Sequence, residues 1–194
     1  MIHSVCVFCG SNAGRRPEYQ RAAQEMGTLL ARRNIRLIYG GGNVGLMGAL
    51  ADACLAAGGA VTGVIPQALG DKELAHWGLT ELHIVKSMHE RKAMMAELAG
   101  AFIALPGGFG TFEEFFEVLT WTQLGLQRKA CGLVNVLGYY DSLLALADRA
   151  AEDGFLQPQH REMVVAAESP AAVLEMVLHF QPPSVPKWGD YDTT

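Results

Sequence analysis

Apolar and polar positions along this chain fall into two alternating periods. Short, largely apolar runs at residues 4–9, 35–39, 60–65, 82–85, 101–105, 130–136 and near 163–166 read as strands. Between them lie stretches with helical spacing at 17–33, 46–57, 140–152 and 170–180. A further helix is expected after Ser87, where Glu90 completes a capping box, and another from Phe112 onward. The run at 101–105, AFIAL, has no polar side chain on either face, as a central parallel strand buried on both sides requires. Strand and helix alternating throughout predict the α/β class, an open, mostly parallel sheet with right-handed crossovers and helices on both faces. Residues 1–180 are expected to form one domain and 181–194 a proline-rich tail. Only 66–80 lacks a clear period, and so long an irregular segment in a compact α/β chain is expected to be a lid.

Three of the predicted strands end in glycine turns, at Gly10, Gly40 and Gly107, all on the carboxyl edge where such folds bind ligands. After 101–105, Pro106 stops the ladder, and Gly107, Gly108 and Gly110 allow several N–H groups to point into one small space. With Thr111 expected as N-cap of the following helix, this is an anion site by construction. Gly40-x-Gly42-x-x-Gly45 also matches the dinucleotide fingerprint, but the acidic residue expected about twenty positions on is missing from AVTGVI at 60–65. A mononucleotide or sugar phosphate fits that turn better than a dinucleotide, with tight turning alone as the remaining explanation.

Composition narrows the class. Half of the 194 residues are apolar, enough for one substantial core. A formal charge of −5 without any long basic run argues against nucleic acid or an anionic membrane as partner. No apolar stretch reaches the roughly 18 residues of a membrane span, and the first strand begins without a leader pattern, so a soluble, cytoplasmic protein is expected. Cys6-x-x-Cys9 has redox spacing, but on a strand an odd separation sends the thiols to opposite faces, and reduced, buried cysteines are expected. His83, His89, His160 and His179 are scattered without metal-ligand spacing.

Two residues stand out chemically. Arg91 shares a helical stripe with Met88, Met95 and Leu98 that should face the sheet, near a helix N-terminus whose dipole opposes a cation. An inward guanidinium needs an anion, either a ligand or a core carboxylate. Lys92 and Glu90 point off that stripe, toward solvent. Glu114 is open to two readings: Thr111-x-x-Glu114 has capping-box spacing, and a carboxylate beside an anion site must serve another part of the ligand.

The motifs say more than the spacing. PGGFGTFEE at 106–114 and MHERK at 88–92 resemble the PGGxGTxxE and MHxRK motifs of the LONELY GUY family of cytokinin riboside 5′-monophosphate phosphoribohydrolases. VCVFCGS, YGGGNVGLMG and LTWTQLG resemble the same family in the same order, over about residues 4–137. The resemblance implies a homodimeric, Rossmann-like hydrolase that cleaves the N-glycosidic bond of an adenine-type nucleoside 5′-monophosphate, without metal or organic cofactor. It implies catalytic roles for Arg91 and Glu114. Substrate contacts are implied for Ser11, Gly41, Gly42, Glu73, Met88, Lys92, Gly107, Gly108, Phe109, Gly110, Thr111, Glu113 and Thr120. Phe109 departs from the aliphatic residue or Tyr familiar at its position. Members are often labelled lysine decarboxylases, yet no lysine here sits in a recognisable pyridoxal phosphate setting. The alternative is a non-catalytic nucleotide or molybdenum-cofactor carrier, since such carriers resemble the family in fold and glycine turns; the presence of both Arg91 and Glu114 favours the enzyme.

Overall fold

The computed structural model describes residues 2–70 and 74–181. Seven parallel strands form one sheet: β1 (Ser4–Phe8), β2 (Arg36–Tyr39), β3 (Val61–Pro66), β4 (Glu81–Val85), β5 (Ala101–Ala104), β6 (Cys131–Val134) and β7 (Val164–Ala167). Their order is β4-β3-β2-β1-β5-β6-β7. The chain winds outward from β1 to β4, then returns to lay β5 beside β1, with Val5 opposite Ala101 and Phe8 opposite Ala104. That reversal between β1 and β5 is the switch point at which open sheets leave a crevice. The helices are α1 (Pro17–Arg32), α2 (Gly45–Ala56), the single turn α3 (Gln67–Leu69), α4 (Met88–Leu98), α5 (Phe109–Gln123), α6 (Asp141–Glu152), the short α7 (Pro158–Arg161) and α8 (Pro170–Leu178). The tail expected from 181 lies, beyond Gln181, outside the described residues.

Helices cover both faces, as the alternation requires. One core packs α1, α2 and α8 on the sheet through Met26, Leu30, Leu50 and Val173. The other packs α4, α5 and α6 through Met95, Phe115 and Val118, with Leu143 and Leu144 at its margin. The odd spacing of Cys6 and Cys9 divides them as expected, Cys6 into the second core and Cys9 into the first. All four cysteines are free and buried. Loss of water pushes the Cys54 thiol up to about 11 and the Cys131 thiol up to about 12, which keeps both protonated and inert at neutral pH.

Two sequence expectations need correction. Thr111 does not cap α5. Gly108 is the N-cap and Phe109 the first helical residue, because the glycines let the chain enter the helix three positions early. Thr111 therefore sits inside the first turn, and the Thr111–Glu114 capping box does not form. The stripe on α4 is also only half inward: Arg91 and Met95 are buried, whereas Met88 and Leu98 stand about two-fifths exposed at the ends. The Ser87 cap forms as expected, its hydroxyl accepting from the Glu90 amide at 3.1 Å, while the Glu90 carboxylate returns to the Lys86 amide at 2.8 Å.

The close fit of α1 against α2 depends on Gly27. A Cβ there would lie 2.3 Å from the Leu50 carbonyl oxygen and 3.0 Å from the Cys54 amide nitrogen, both backbone atoms that cannot rotate away. Alanine gains about 1 kcal/mol of helix propensity over glycine. The clash outweighs it, and Gly27→Ala should lower stability by about 1–3 kcal/mol in denaturant unfolding; a stabilised variant would show that α1 can withdraw from α2 without cost.

Candidate active site

The three glycine turns meet at the carboxyl ends of β1, β2 and β5. The Gly10 amide donates to the Pro106 carbonyl at 3.1 Å, and the Leu46 amide, at the start of α2, donates to the Gly10 carbonyl at 3.1 Å. The turns are thereby tied to one another as well as to their strands. They enclose a pocket of about 540 Å³, a size suited to a small-molecule ligand. Its lining includes Ser11, Gly42, Met88, Arg91, Glu113, Glu114 and the whole run from Pro106 to Thr111. One wall is the first turn of α5, whose amides at Phe109, Gly110 and Thr111 have no acceptor within the helix and carry the positive end of its dipole. Elsewhere the lining includes an apolar group, Val44, Met47, Ile65, Leu69 and Leu74.

Arg91 and Glu114 meet at this pocket. An Arg91 Nη2 lies 3.3 Å from Glu114 Oε1, and the two side chains are only 11% and 10% exposed. The core carboxylate expected as one answer to a buried arginine is thus Glu114 itself. The pair is incompletely satisfied: among the described residues, the buried Arg91 Nε has no hydrogen-bond partner, and Nη1 has only the Met88 sulfur at 3.7 Å. Burial pushes the Glu114 carboxyl above the usual carboxylate range; Arg91 opposes this, and neighbouring Glu113 adds to it. Once the capping box is gone, nothing local requires an acid at position 114. Room for the guanidinium is made by Gly40, where a Cβ would lie 1.9 Å from Arg91 Nη2.

The other residues implied by the resemblance divide. Lys92 does not point to solvent as its place on the helix predicts. About 100° round α4 from Arg91, its ammonium binds Glu113 and, at 3.0 Å, Glu117, so that it joins α4 to α5 outside the pocket lining. Those hydrogen bonds, that from Glu113 foremost, raise its pKa despite partial burial. Gly41 also stands behind the lining. Its φ of +73° turns it toward Ile65 and Leu82, and its carbonyl accepts from the His76 amide at 2.9 Å. Thr120 lies eleven residues along α5 from Phe109, about 16 Å at helical rise, exposed and bonded back to the Phe116 carbonyl at 2.7 Å. Glu73 lies outside the described residues.

The described part of the expected lid does reach the pocket, through Leu69 and Leu74. It is fastened to the second glycine turn by an antiparallel bridge between Gly42 and Ala75 and by the Asn43 amide donating to the Leu74 carbonyl at 3.0 Å. His76 Nε2 also meets Asp52 Oδ1 on α2 at 2.8 Å. Sequence reasoning missed the aromatic side of the site. Tyr139, in the loop after β6, lines the pocket together with Tyr19 of α1. The one available signal was position, since that loop leaves the same carboxyl edge as the glycine turns.

Comparison with known proteins places this geometry. Residues 47–177 match the family described as "possible lysine decarboxylase". A cytokinin riboside 5′-monophosphate phosphoribohydrolase from Rhodococcoides fascians is 55% identical over 166 residues, spanning 85% of this chain and 84% of that protein. An Arabidopsis thaliana protein of the same description is 48% identical over 178 residues, 92% of this chain and 82% of its own length. Among solved structures, the molybdenum cofactor binding protein from Rippkaea orientalis superposes with a TM-score of 0.67, covering 90% of this chain and 94% of that one, at 19% identity. That likeness shows the fold alone. Identity near one half, sustained along most of both chains, shows more than a shared fold, and the chain belongs to the cytokinin riboside 5′-monophosphate phosphoribohydrolase family.

Proposed function

We propose that this chain hydrolyses the N-glycosidic bond of an adenine-type nucleoside 5′-monophosphate, of the cytokinin riboside or AMP kind, to the free base and ribose 5-phosphate. The observation that carries the reading is the buried, incompletely satisfied Arg91–Glu114 pair beside the open first turn of α5. The 5′-phosphate belongs at the helix N-terminus, where unpaired amides and the dipole favour an anion. The base belongs against the apolar group of Met47, Leu69 and Leu74. As the bond breaks, its electron pair leaves with the base and positive charge grows on the sugar. The Glu114 carboxylate stabilises that charge and takes a proton from the water whose oxygen bonds to the anomeric carbon; the departing nitrogen takes a proton from solvent, and Glu114 returns its own to solvent afterwards, so one water is consumed overall. Arg91 opposes the effect of burial on the Glu114 carboxyl, and its guanidinium stands in the lining of the same pocket.

A decarboxylase lysine needs an unprotonated amine. No lysine is among the pocket's described lining residues, and Lys92 is held as an ammonium by two carboxylates. A molybdenum-cofactor carrier would bind without turnover, which the assay below separates.

We also infer a homodimer. Phe109, Glu113, Phe116 and Thr120 are exposed at helical spacing along one face of α5, and Phe109, at 92% exposure, stands at the pocket lip. Pairing through this face would cover the aromatics and carry Thr120 toward the neighbouring subunit's pocket. Sedimentation at micromolar concentration should give a dimer, and Phe116→Asp should give monomers; a wild-type monomer rejects the interface.

With AMP as substrate and adenine release as readout, Glu114→Gln should slow turnover by on the order of a hundredfold or more, and Glu113→Gln should be milder. Because burial raises the Glu114 pKa, the acid limb of kcat/KM should lie above the ordinary 4.5 of a glutamate. Stability follows the same sign. The raised carboxyl contributes stability below its unfolded value and loses it as pH rises through the folded value. Over that window the wild type should therefore lose stability relative to Glu114→Gln, whatever the constant offset between them. Full turnover in the variant, or a limb at or below the ordinary value, would remove Glu114 from the reaction.

Gly40→Ala tests the pair without touching either charge. Displacing the guanidinium by an ångström should cost roughly a hundredfold in kcat/KM in a protein that still unfolds cooperatively. Gly70→Ala is the control, since a Cβ there meets nothing within 4 Å among the described residues. Equal activity of the two variants would show that the position of Arg91 is not critical.

A further inference from the structure

Three successive carbonyls just after β5 are each held by a donor from elsewhere in the chain, one from the turn after β1 and two from the loop after β6. The Tyr140 hydroxyl donates to Leu105 O at 2.7 Å, the Gly10 amide to Pro106 O at 3.1 Å, and the Tyr139 hydroxyl to Gly107 O at 2.5 Å. The two tyrosines are held in turn. Tyr139 packs edge-on against Tyr140 and Tyr19, with ring centroids 5.0 and 5.7 Å apart. The Tyr140 amide donates to Asn135 Oδ1 at 2.6 Å, and Asn135 Nδ2 donates to Asp141 Oδ1 at 2.7 Å.

The loop that presents them is bent against its own preference. Leu137 sits at φ 54°, ψ 31°, in the left-handed region that costs a side chain such as leucine, and Gly138 follows at φ 70°. At Gly138 a Cβ would also lie 2.4 Å from Asp141 Oδ2. Strain of this kind persists where surrounding contacts over-determine the loop, and such places cluster at ligand sites.

We propose that Tyr139 is a positioning residue for 5′-phosphate recognition, acting through the glycine turn. Its ring lines the pocket, but its single O–H is committed to Gly107 O, so toward a ligand it presents only lone pairs, which an anion avoids. What it controls is the turn. In a planar trans peptide the Gly108 N–H points opposite to the Gly107 carbonyl, so holding one fixes the direction of the other at the entry to α5. Without that bond, the flexible Gly107–Gly108 peptide is free to rotate, and the amides that face an anion lose their alignment.

This inference rests on the phosphate placement proposed above, and its test separates the two. Ribose 5-phosphate binding is titrated calorimetrically, and AMP kinetics with adenosine as a phosphate-free competitor are measured, for the wild type, Tyr139→Phe and Tyr140→Phe. Tyr139→Phe should weaken ribose 5-phosphate and raise KM for AMP by about fivefold to tenfold, the worth of one hydrogen bond. Inhibition by adenosine should not change, and kcat should stay within about twofold. Tyr140→Phe should chiefly lower the melting temperature, because it leaves a buried carbonyl unpaired. Unchanged ribose 5-phosphate affinity in Tyr139→Phe, an equal loss for adenosine, or a fall in kcat at constant KM overturns the proposal. If the wild type binds ribose 5-phosphate but does not hydrolyse AMP, the reaction falls while the titration still decides Tyr139. If it does not bind ribose 5-phosphate, both fall.

Discussion

The Arg91–Glu114 contact constrains more of this structure than any other single interaction. Placing a guanidinium and a carboxylate in sites only about a tenth exposed removes both from water. The attraction between them offsets that loss fully only when the remaining donors and acceptors are also matched. Here they are not, since Arg91 Nε is buried without a partner among the described residues. A pair built for stability would be closed on itself, or replaced by apolar side chains at little cost. This one stands in the lining of a pocket, and three separate parts of the chain are shaped around it. Gly40 withholds a side chain where Nη2 lies, the early start of α5 brings Glu114 round to face α4, and Lys92 joins the two helices one residue along.

The sheet explains why these parts converge. β1 and β5 are neighbours in space but 96 residues apart at the paired Phe8 and Ala104, and the crevice between them exists because the chain winds away from β1 in both directions. The Gly10 amide on the Pro106 carbonyl closes that crevice at the floor, and the Leu46 amide on Gly10 joins α2 to it. The position of Arg91 relative to the α5 amides is therefore a property of the whole sheet, and the short turns only have to carry it outward.

Much of this was legible in the sequence. Seven strands, their mostly parallel arrangement and the three glycine turns follow from apolar runs and punctuation, because a strand buried on both faces is almost wholly apolar and the sharp turns after three of them carry glycine. Arg91 was legible for a similar reason, as a cation inward of a helix start that opposes it. What spacing could not give was the exact phase of α5. Thr111-x-x-Glu114 is a sound capping box by sequence, but Gly108 starts the helix first, and a shift of three positions turns Glu114 from a cap into a buried partner. Lys92 was misread because an amphipathic pattern on one helix does not show the carboxylates that a neighbouring helix supplies. Tyr139 left no local trace: its role depends on Gly107, 32 residues earlier, and on a strained turn at Leu137 that no propensity predicts.

The raised Glu114 carboxyl and the unpartnered Arg91 Nε are two views of one imbalance. A carboxylate fully neutralised by its arginine would have its pKa held down and little field left for a reacting sugar. A carboxylate buried without the arginine would have its pKa raised further and less charge to offer. Between these limits, burial prevails on Glu114 enough to raise its pKa, while Arg91 opposes it. The guanidinium, for its part, is left incompletely matched in the lining of the pocket. An oxocarbenium-like charge next to Glu114 and an anion near Arg91 would each complete one half of the pair, so the transition state satisfies groups that the empty protein leaves unsatisfied. That is the differential binding a catalyst needs. It also gives a physical reason for a fold to hold two poorly hydrated charges side by side at the mouth of its switch point.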